Sequence, residues 1–152
     1  MKKTYRVTSV VRFVNRLTAR FIDRGMGPPQ RYMLGVRGRK SGKLYSAPVT
    51  VVEELGQRWL VAAYGEVAWV INARAAGEVT LSRGGQSQTL AIRELPVGDR
   101  APILKKYVAL EPLVLPYFEA RKDSPLEVFA AEAQAHPVFL LESKVSNPRR
   151  VA

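Results

Sequence analysis

Two short stretches of the 152-residue chain carry residue types able to do chemistry. The first is Gly38-Arg39-Lys40-Ser41-Gly42-Lys43, in which two glycines frame cations and a hydroxyl. Glycines let backbone N–H groups come close to an anion, and Arg and Lys neutralise its charge. A phosphate or polycarboxylate ligand suits that chemistry; a solvated basic hairpin is the plainer account of the same residues. The loop is not a Walker A motif, because Arg39 stands between Gly38 and Lys40 and a strand pattern follows. The second stretch is Tyr64-Gly65-Glu66-Val67-Ala68-Trp69, after the apolar run Leu60–Ala63. Small residues followed by Tyr and Gly at a strand end let a flat ring lie close to the backbone. Trp69 either walls such a site or belongs to the core. Asn72 and Arg74 read, by themselves, as polar residues on a helix surface.

Other chemistry is thin. There is no Cys, which excludes disulfides, thiolate metal sites and Cys nucleophiles. His136 is the only histidine, so a His-rich metal site is excluded and any Ser–His catalysis has to use it. No Ser or Asp is placed near it by a recognisable motif. Glu53 and Glu54 are adjacent in a turn and are expected to point apart into solvent. No metal site is expected.

The elements that must position the two stretches follow from periodicity. Val10, Phe13, Val14, Leu17 and Phe21 share one face of a helix expected over Ser9–Arg24, with Arg12, Arg16, Arg20 and Arg24 in a row beside it. Gly25, Gly27, Pro28 and Pro29 end it. Strands are expected at Arg31–Arg37, Tyr45–Val52 and Arg58–Ala63. A short helix over Ala68–Ala75 stops at Gly77. Val79–Arg83 and Gln86–Leu95 flank the hairpin signal Gly84-Gly85. Asp99–Leu110 reads as a helix. Ser124, Pro125 and Glu127 read as the cap, first turn and capping box of a helix running to about Gln134. Val138–Leu141 is the last strand. Sequential strands with tight turns favour an antiparallel sheet, and about six of them a small barrel. The class is mainly β with flanking helices (α+β), divided into a basic amphipathic helix at 1–28 and one barrel domain at 29–152. The aromatic set Tyr107, Tyr117, Phe118 and Phe129 either belongs to the core or covers a site at the barrel edge.

Charge sharpens the division. The formal net charge is +11, yet Met1–Lys43 holds 12 basic residues and one acid while Leu44–Ala152 holds 12 of each. A neutral barrel argues against nucleic acid as partner. The basic helix packs on the domain or lies on an anionic membrane, where each cation adds ~1 kcal/mol. Hydrophobic residues make up 47% of the chain, a globular value that excludes disorder throughout. No apolar run approaches the ~20 residues of a membrane span. Arg12, Arg16 and Arg20 interrupt any signal-peptide core, so a cytoplasmic location is expected, with the inner face of the plasma membrane as a peripheral site.

Taken together, the segments resemble the deazaflavin-dependent nitroreductase family. The matching residues are Gly38-Arg39-Lys40-Ser41-Gly42, Ser46-Ala47-Pro48, Val61-Ala62-Ala63-Tyr64-Gly65 and Ala68-Trp69-x-x-Asn72-x-Arg74, within a likeness that runs from about Ser9 to Glu142. The resemblance implies an FMN-binding-like split β-barrel and an oxidoreductase that binds the deazaflavin coenzyme F-420. By the same resemblance, Arg39, Lys40 and Ser41 hold the coenzyme's phosphate and acidic tail. Tyr45, Ser46, Ala47, Pro48, Val49 and Thr50 line it along the second strand, largely through backbone. Ala62, Ala63, Tyr64 and Gly65 lie under its ring system, and Ala68, Trp69, Val70, Ile71 and Asn72 close the far side. Its reduced form passes hydride to a small electrophilic molecule: a quinone, a nitroaromatic or an activated alkene. Tyr64, beside the ring, is the candidate proton donor, with solvent as the alternative. Two rivals stand: an FMN-using relative, whose phosphate the same loop could serve, and a non-catalytic coenzyme-binding protein on a membrane surface. Many family members are membrane-associated. Monomer and homodimer are both open. The chain departs from the best-known branch in its short loop between Gly65 and Trp69, and Tyr117 and Phe118 are the nearest match to that branch's C-terminal tyrosines.

Overall fold

The computed structural model describes residues 19, 20, 22 and 24–144. The helix expected over Ser9–Arg24, and with it the unit at 1–28, lies mostly outside the described residues. Runs of β-branched and aromatic residues form six strands: β1 (Arg31–Arg37), β2 (Leu44–Glu54), β3 (Gln57–Val61), β4 (Glu78–Arg83), β5 (Gln86–Glu94) and β6 (Val138–Ser143). They close in the order β1-β2-β3-β6-β5-β4, every pair antiparallel. The expected mainly β barrel with flanking helices is what the chain forms. Gly84-Gly85 joins β4 to β5 as anticipated.

Side-chain alternation sorts the apolar residues into two cores. Leu34, Val51, Leu60, Leu81, Leu90 and Phe139 fill the barrel, and α1 (Ala68–Ala76) plugs it with Val70 and Ala73. Val52, Val61 and Val138 face outward and are covered by α2 (Ala101–Leu110) and α3 (Leu126–Ala131), through Leu104, Val108 and Phe129. Each such Val, Leu or Phe removed from water contributes roughly 1.5–3 kcal/mol.

Several expected boundaries move, for local reasons. β3 ends at Val61 rather than Ala63 because its partner β6 begins after Pro137, whose carbonyl accepts the Ala62 N–H at 2.8 Å. The expected helix at Asp99–Leu110 becomes a 3₁₀ turn, Val97–Asp99, followed by α2. Ser124 does not cap α3: its hydroxyl accepts the Arg121 N–H at 2.7 Å, and Pro125 holds the cap position. α3 stops at Ala131 rather than near Gln134, because Glu132 leaves helical geometry and turns its carboxylate onto the Glu119 and Ala120 N–H groups.

Two features prepare the site. β2 pairs with β1 over Leu44–Thr50 but with β3 only over Val51–Glu54. At the two ends of that first stretch, the Val51 N–H to Gln30 bond and the Gly38 N–H to Lys43 bond fix the parity. Odd-numbered residues of β2 turn their N–H and C=O groups toward β1, and even-numbered ones turn them away. Leu44 and Ser46 therefore present backbone groups along a one-sided edge, Thr50 stands where the β3 pairing takes over, and Pro48 sits where a missing N–H costs no rung of the β1 ladder. The second feature is Arg83. Its guanidinium donates to the carbonyls of Gly25, Gly27, Pro28 and Arg31 at 2.8–3.1 Å, tying the segment before β1 to the β4–β5 hairpin.

Candidate coenzyme-binding site

The basic loop between β1 and β2 is closed by two backbone bonds, Gly38 N–H to Lys43 at 2.7 Å and Gly42 N–H to Gly38 at 2.9 Å. The Arg37 guanidinium caps the Gly42 carbonyl at 3.0 Å. Gly38 has no room for a side chain: a Cβ there falls 2.8 Å from Tyr45 Cε2 and 2.9 Å from Ser41 Oγ. Ser41 Oγ accepts the Lys43 N–H at 3.1 Å and lies 3.4 Å from the Tyr45 hydroxyl. Arg39, Lys40 and Lys43 are exposed, and among the described residues none of them has an acidic partner. Cations left this close repel one another, and an anion between them removes the cost.

The loop is anchored to α1. Asn72, by itself expected on a helix surface, is buried, and its Oδ1 accepts both the Arg39 backbone N–H at 3.1 Å and the Arg39 guanidinium at 2.7 Å. Arg74 is the helix's other polar residue. It reaches Glu94 on β5 at 2.7 and 2.8 Å and binds the Glu66 carboxylate, which it holds below the ordinary carboxylate range. The turn Tyr64–Val67 is thereby clipped to α1. Glu94 also takes Arg100 at 3.0 Å.

At the end of β3 the chain reverses through Gly65, whose φ of 83° lies in the left-handed region that favours glycine. The Gly65 N–H returns to the Ala62 carbonyl at 3.1 Å, and a Cβ at Gly65 would meet the Ala135 carbonyl at 3.3 Å. Ala62 and Ala63 are buried, while Tyr64 is exposed and meets Tyr117 edge-on, with ring centroids 4.8 Å apart at 73°.

The remaining sequence-picked residues divide. Tyr45 and Ser46 are exposed along the one-sided edge, and Ala47, Pro48 and Val49 are half-buried there. The Thr50 hydroxyl points away, donating to Glu111 Oε2 at 2.9 Å beside the Arg31 guanidinium at 2.6 Å, so only its backbone faces the edge. On α1, Ala68 and Ile71 are exposed, Trp69 packs on Phe139 at 5.9 Å, and Val70 is fully buried in the barrel. A groove of about 780 Å³ opens over Phe118 and Glu119–Asp123, and no residue of the basic loop, β2 edge or Gly65 turn lines it.

Sequence reasoning gave no role to His136 and no contact to Tyr117. His136 is 2% exposed, stacked on Phe118 with centroids 3.9 Å apart, and bonded to Glu132 and to the Ala63 carbonyl. The spacing of Glu132 and His136, four apart just before a proline, was the available signal.

The site combines a cationic loop, a one-sided strand edge, a glycine turn and the Tyr64–Tyr117 contact. Cations without an acidic partner among the described residues, beside an open backbone edge, suit a long molecule with an anionic tail. A family model described as F420H(2)-dependent quinone reductase matches residues 6–133, and the chain belongs to that family. It is a reductase, and its coenzyme is F-420; this decides between the two coenzymes the loop alone left open. A solved structure described as an F420-H2 dependent reductase (FDR-A) is 24% identical, covers 74% of this chain and 94% of its own, and superposes with a TM-score of 0.53. One described as a domain-swapped dimer, also 24% identical, covers 88% of this chain and 100% of its own, with a TM-score of 0.56. The protein Atu2129 from Agrobacterium tumefaciens is 14% identical over 85% of this chain and 53% of its own, with a TM-score of 0.55. At these identities the likenesses show the fold. No curated protein matches the chain. Among the described residues, no helix is long and apolar enough to cross a membrane.

Proposed function

We propose that the chain reduces an electrophilic small molecule, a quinone in the first place, with hydride from reduced F-420 held along the β2 edge. Nitroaromatics and activated alkenes are the further acceptor classes. The observation that carries this reading is the set of cations at Arg39, Lys40 and Lys43, without an acidic partner among the described residues, in a loop anchored through Arg39 to Asn72 at the end of a one-sided strand edge. Arg39, Lys40 and Ser41 hold the phosphate and acidic tail. The even-numbered backbone groups of Leu44–Thr50 bind along the coenzyme's length. Ala62–Gly65 lie under the ring, and Ala68, Trp69, Ile71 and Asn72 close the other side. When bound, the coenzyme supplies the hydride. Tyr64, beside the ring, gives its phenolic proton to the reduced oxygen of the acceptor and is reprotonated from water. Tyr64 and Tyr117 shield the mouth.

The basic segment Met1–Arg24 brings the enzyme to the anionic inner face of the plasma membrane, where apolar quinones reside; the excess of cations over a neutral barrel supports this. The chain works as a monomer or homodimer in the cytoplasm.

Titration of purified protein with F-420, followed by fluorescence, tests the coenzyme site. Micromolar binding that weakens about tenfold or more in Arg39→Ala and Lys40→Ala is expected, each removing a charge-assisted contact. No binding, or binding indifferent to both substitutions, overturns it. Turnover of a soluble quinone, a nitroarene and an enone then ranks the acceptors.

A further inference from the structure

The chain's single histidine lies directly behind the aromatic mouth. His136 Nδ1 is 3.0 Å from the Ala63 carbonyl oxygen, and Nε2 is 2.9 Å from Glu132 Oε1. Glu132 is itself buried and receives three backbone contacts: the Glu119 N–H at 3.0 and 2.9 Å on its two oxygens, and the Ala120 N–H at 2.7 Å. Burial pushes this carboxyl up, but the Glu119 and Ala120 N–H groups and His136 outweigh it, and it titrates below its ordinary range. Both imidazole nitrogens face oxygens, the Ala63 carbonyl and the Glu132 carboxylate, and an imidazolium with a carboxylate satisfies both contacts at once. Among the charged groups close to the pair, the Arg100 guanidinium donates to the Ala133 carbonyl at 3.0 Å. Phe118 and Ala63 bring no charge.

Such a pair is a poor source of stability, because apolar side chains of similar shape often serve as well or better. Its contacts suggest another role. Through Ala63, His136 holds the residue immediately before Tyr64. The imidazole stacks at 11° on Phe118, the residue immediately after Tyr117. Glu132 grips the N–H groups of the two residues that follow Phe118. The two tyrosines that meet at 4.8 Å are thus each held, one residue away, by the same buried pair.

We propose that His136 and Glu132 form a positioning unit that sets the Tyr64–Tyr117 contact at the mouth, and so governs how the electron acceptor fits rather than how the coenzyme binds. The proposal rests on the reading that Ala62–Gly65 lie under the coenzyme ring. It extends the site to residues that touch neither coenzyme nor acceptor.

Because His136 is the only histidine, protein labelled with ¹⁵N-histidine gives one unambiguous set of imidazole signals. At neutral pH both ring nitrogens are expected to be protonated, and the Tyr64 and Tyr117 rings to show a mutual nuclear Overhauser effect. Glu132→Gln keeps the shape and removes the charge; Phe118→Leu removes the stack and carries the test if the first variant does not fold. In either, the ring-to-ring effect weakens and KM for a soluble quinone rises about tenfold, since small misplacements at a reacting centre have effects of that order or more. The Kd for oxidised F-420 changes by less than KM does, because the altered side chains reach the coenzyme-binding residues only through the Ala63 carbonyl. A neutral imidazole in the wild-type protein, or an unchanged KM with the ring contact retained, overturns the proposal. Wild-type protein that binds no F-420 overturns the coenzyme reading instead; the histidine signals and the ring contact still decide for or against the pair.

Discussion

Asn72 offers one side-chain oxygen to two donors of the same residue, the Arg39 backbone N–H at 3.1 Å and the Arg39 guanidinium at 2.7 Å. The first bond fixes where the basic loop stands against α1. The second aims the cation. A neutral amide does this without cancelling the charge, which a carboxylate in the same place would do.

Replacing Asn72 by Ala leaves both donors without their acceptor. A hydrogen bond to a charged group is worth about 1.5–3 kcal/mol, so F-420 affinity is expected to fall by about tenfold or more. Asn72→Asp keeps the geometry but places a negative charge beside the anion, and affinity drops as well. Fluorescence titration of both variants measures this. Unchanged affinity in both removes Asn72 from the site.

Gly38→Ala introduces a methyl 2.8 Å from Tyr45 Cε2 and 2.9 Å from Ser41 Oγ. Tyr45 is exposed and can yield, so the fold survives with a loss of roughly 1 kcal/mol, while the displaced Ser41 and Lys40 bind the coenzyme several-fold more weakly. Paired melting curves and titrations separate the two effects. A variant that melts far below the wild type would show the loop to be structural instead.

Acid stability reports on Glu132. Its carboxyl lies below the ordinary 4.5: burial raises it, and the Glu119 and Ala120 N–H groups with His136 more than offset that. A carboxyl depressed by folding contributes stability in full above about pH 5, and the contribution disappears as pH falls through the folded value. The difference in melting temperature between wild type and Glu132→Gln is therefore expected to close as pH falls into the acid range. Melts followed by circular dichroism across that range test it; a difference that persists at the acid end would falsify the assignment of charge to Glu132.

Arg83→Ala strips one guanidinium from three carbonyls in the segment before β1 and from that of Arg31, its first residue. Hydrogen exchange in residues 24–30 and at the β4–β5 hairpin is expected to quicken, and stability to fall by about 1.5–3 kcal/mol. Arg83→Lys recovers little, because a point charge cannot reach four acceptors spread across a planar fork. Full recovery in the lysine variant would mean that charge alone holds the segment.

The barrel was legible in the chain because β-forming runs at Arg31–Arg37, Tyr45–Val52 and Arg58–Ala63, together with Gly84-Gly85, mark the strands and where the sheet turns. The basic loop and the Gly65 turn were legible because their residue types are unusual for their positions. Other parts depend on distance along the chain. Asn72 looks like a surface amide until α1 is docked beside Arg39, 33 residues earlier. Ser124 has the composition of a helix cap, yet a nearer N–H at Arg121 claims its hydroxyl. The Thr50 hydroxyl is taken by Glu111, 61 residues away. His136 lacks any motif because its partners come from β3, the segment after Tyr117 and Glu132, and no local pattern records that convergence. Propensity and periodicity describe neighbours; side-chain hydrogen bonds of this kind are settled only when the helices pack.

Pro48 bears on how the protein keeps to itself. A strand edge with unpaired N–H and C=O groups is an invitation to any other extended chain, and long flat edges are where proteins aggregate. Over Leu44–Thr50 such an edge has to stay accessible if a coenzyme is to lie along it. With a proline in its middle, the edge lacks the donor that an incoming strand needs there, so intermolecular pairing breaks off after a rung or two. A small molecule needs no continuous ladder and loses nothing. The same residue thus works as a filter, admitting a ligand and refusing a neighbour's backbone.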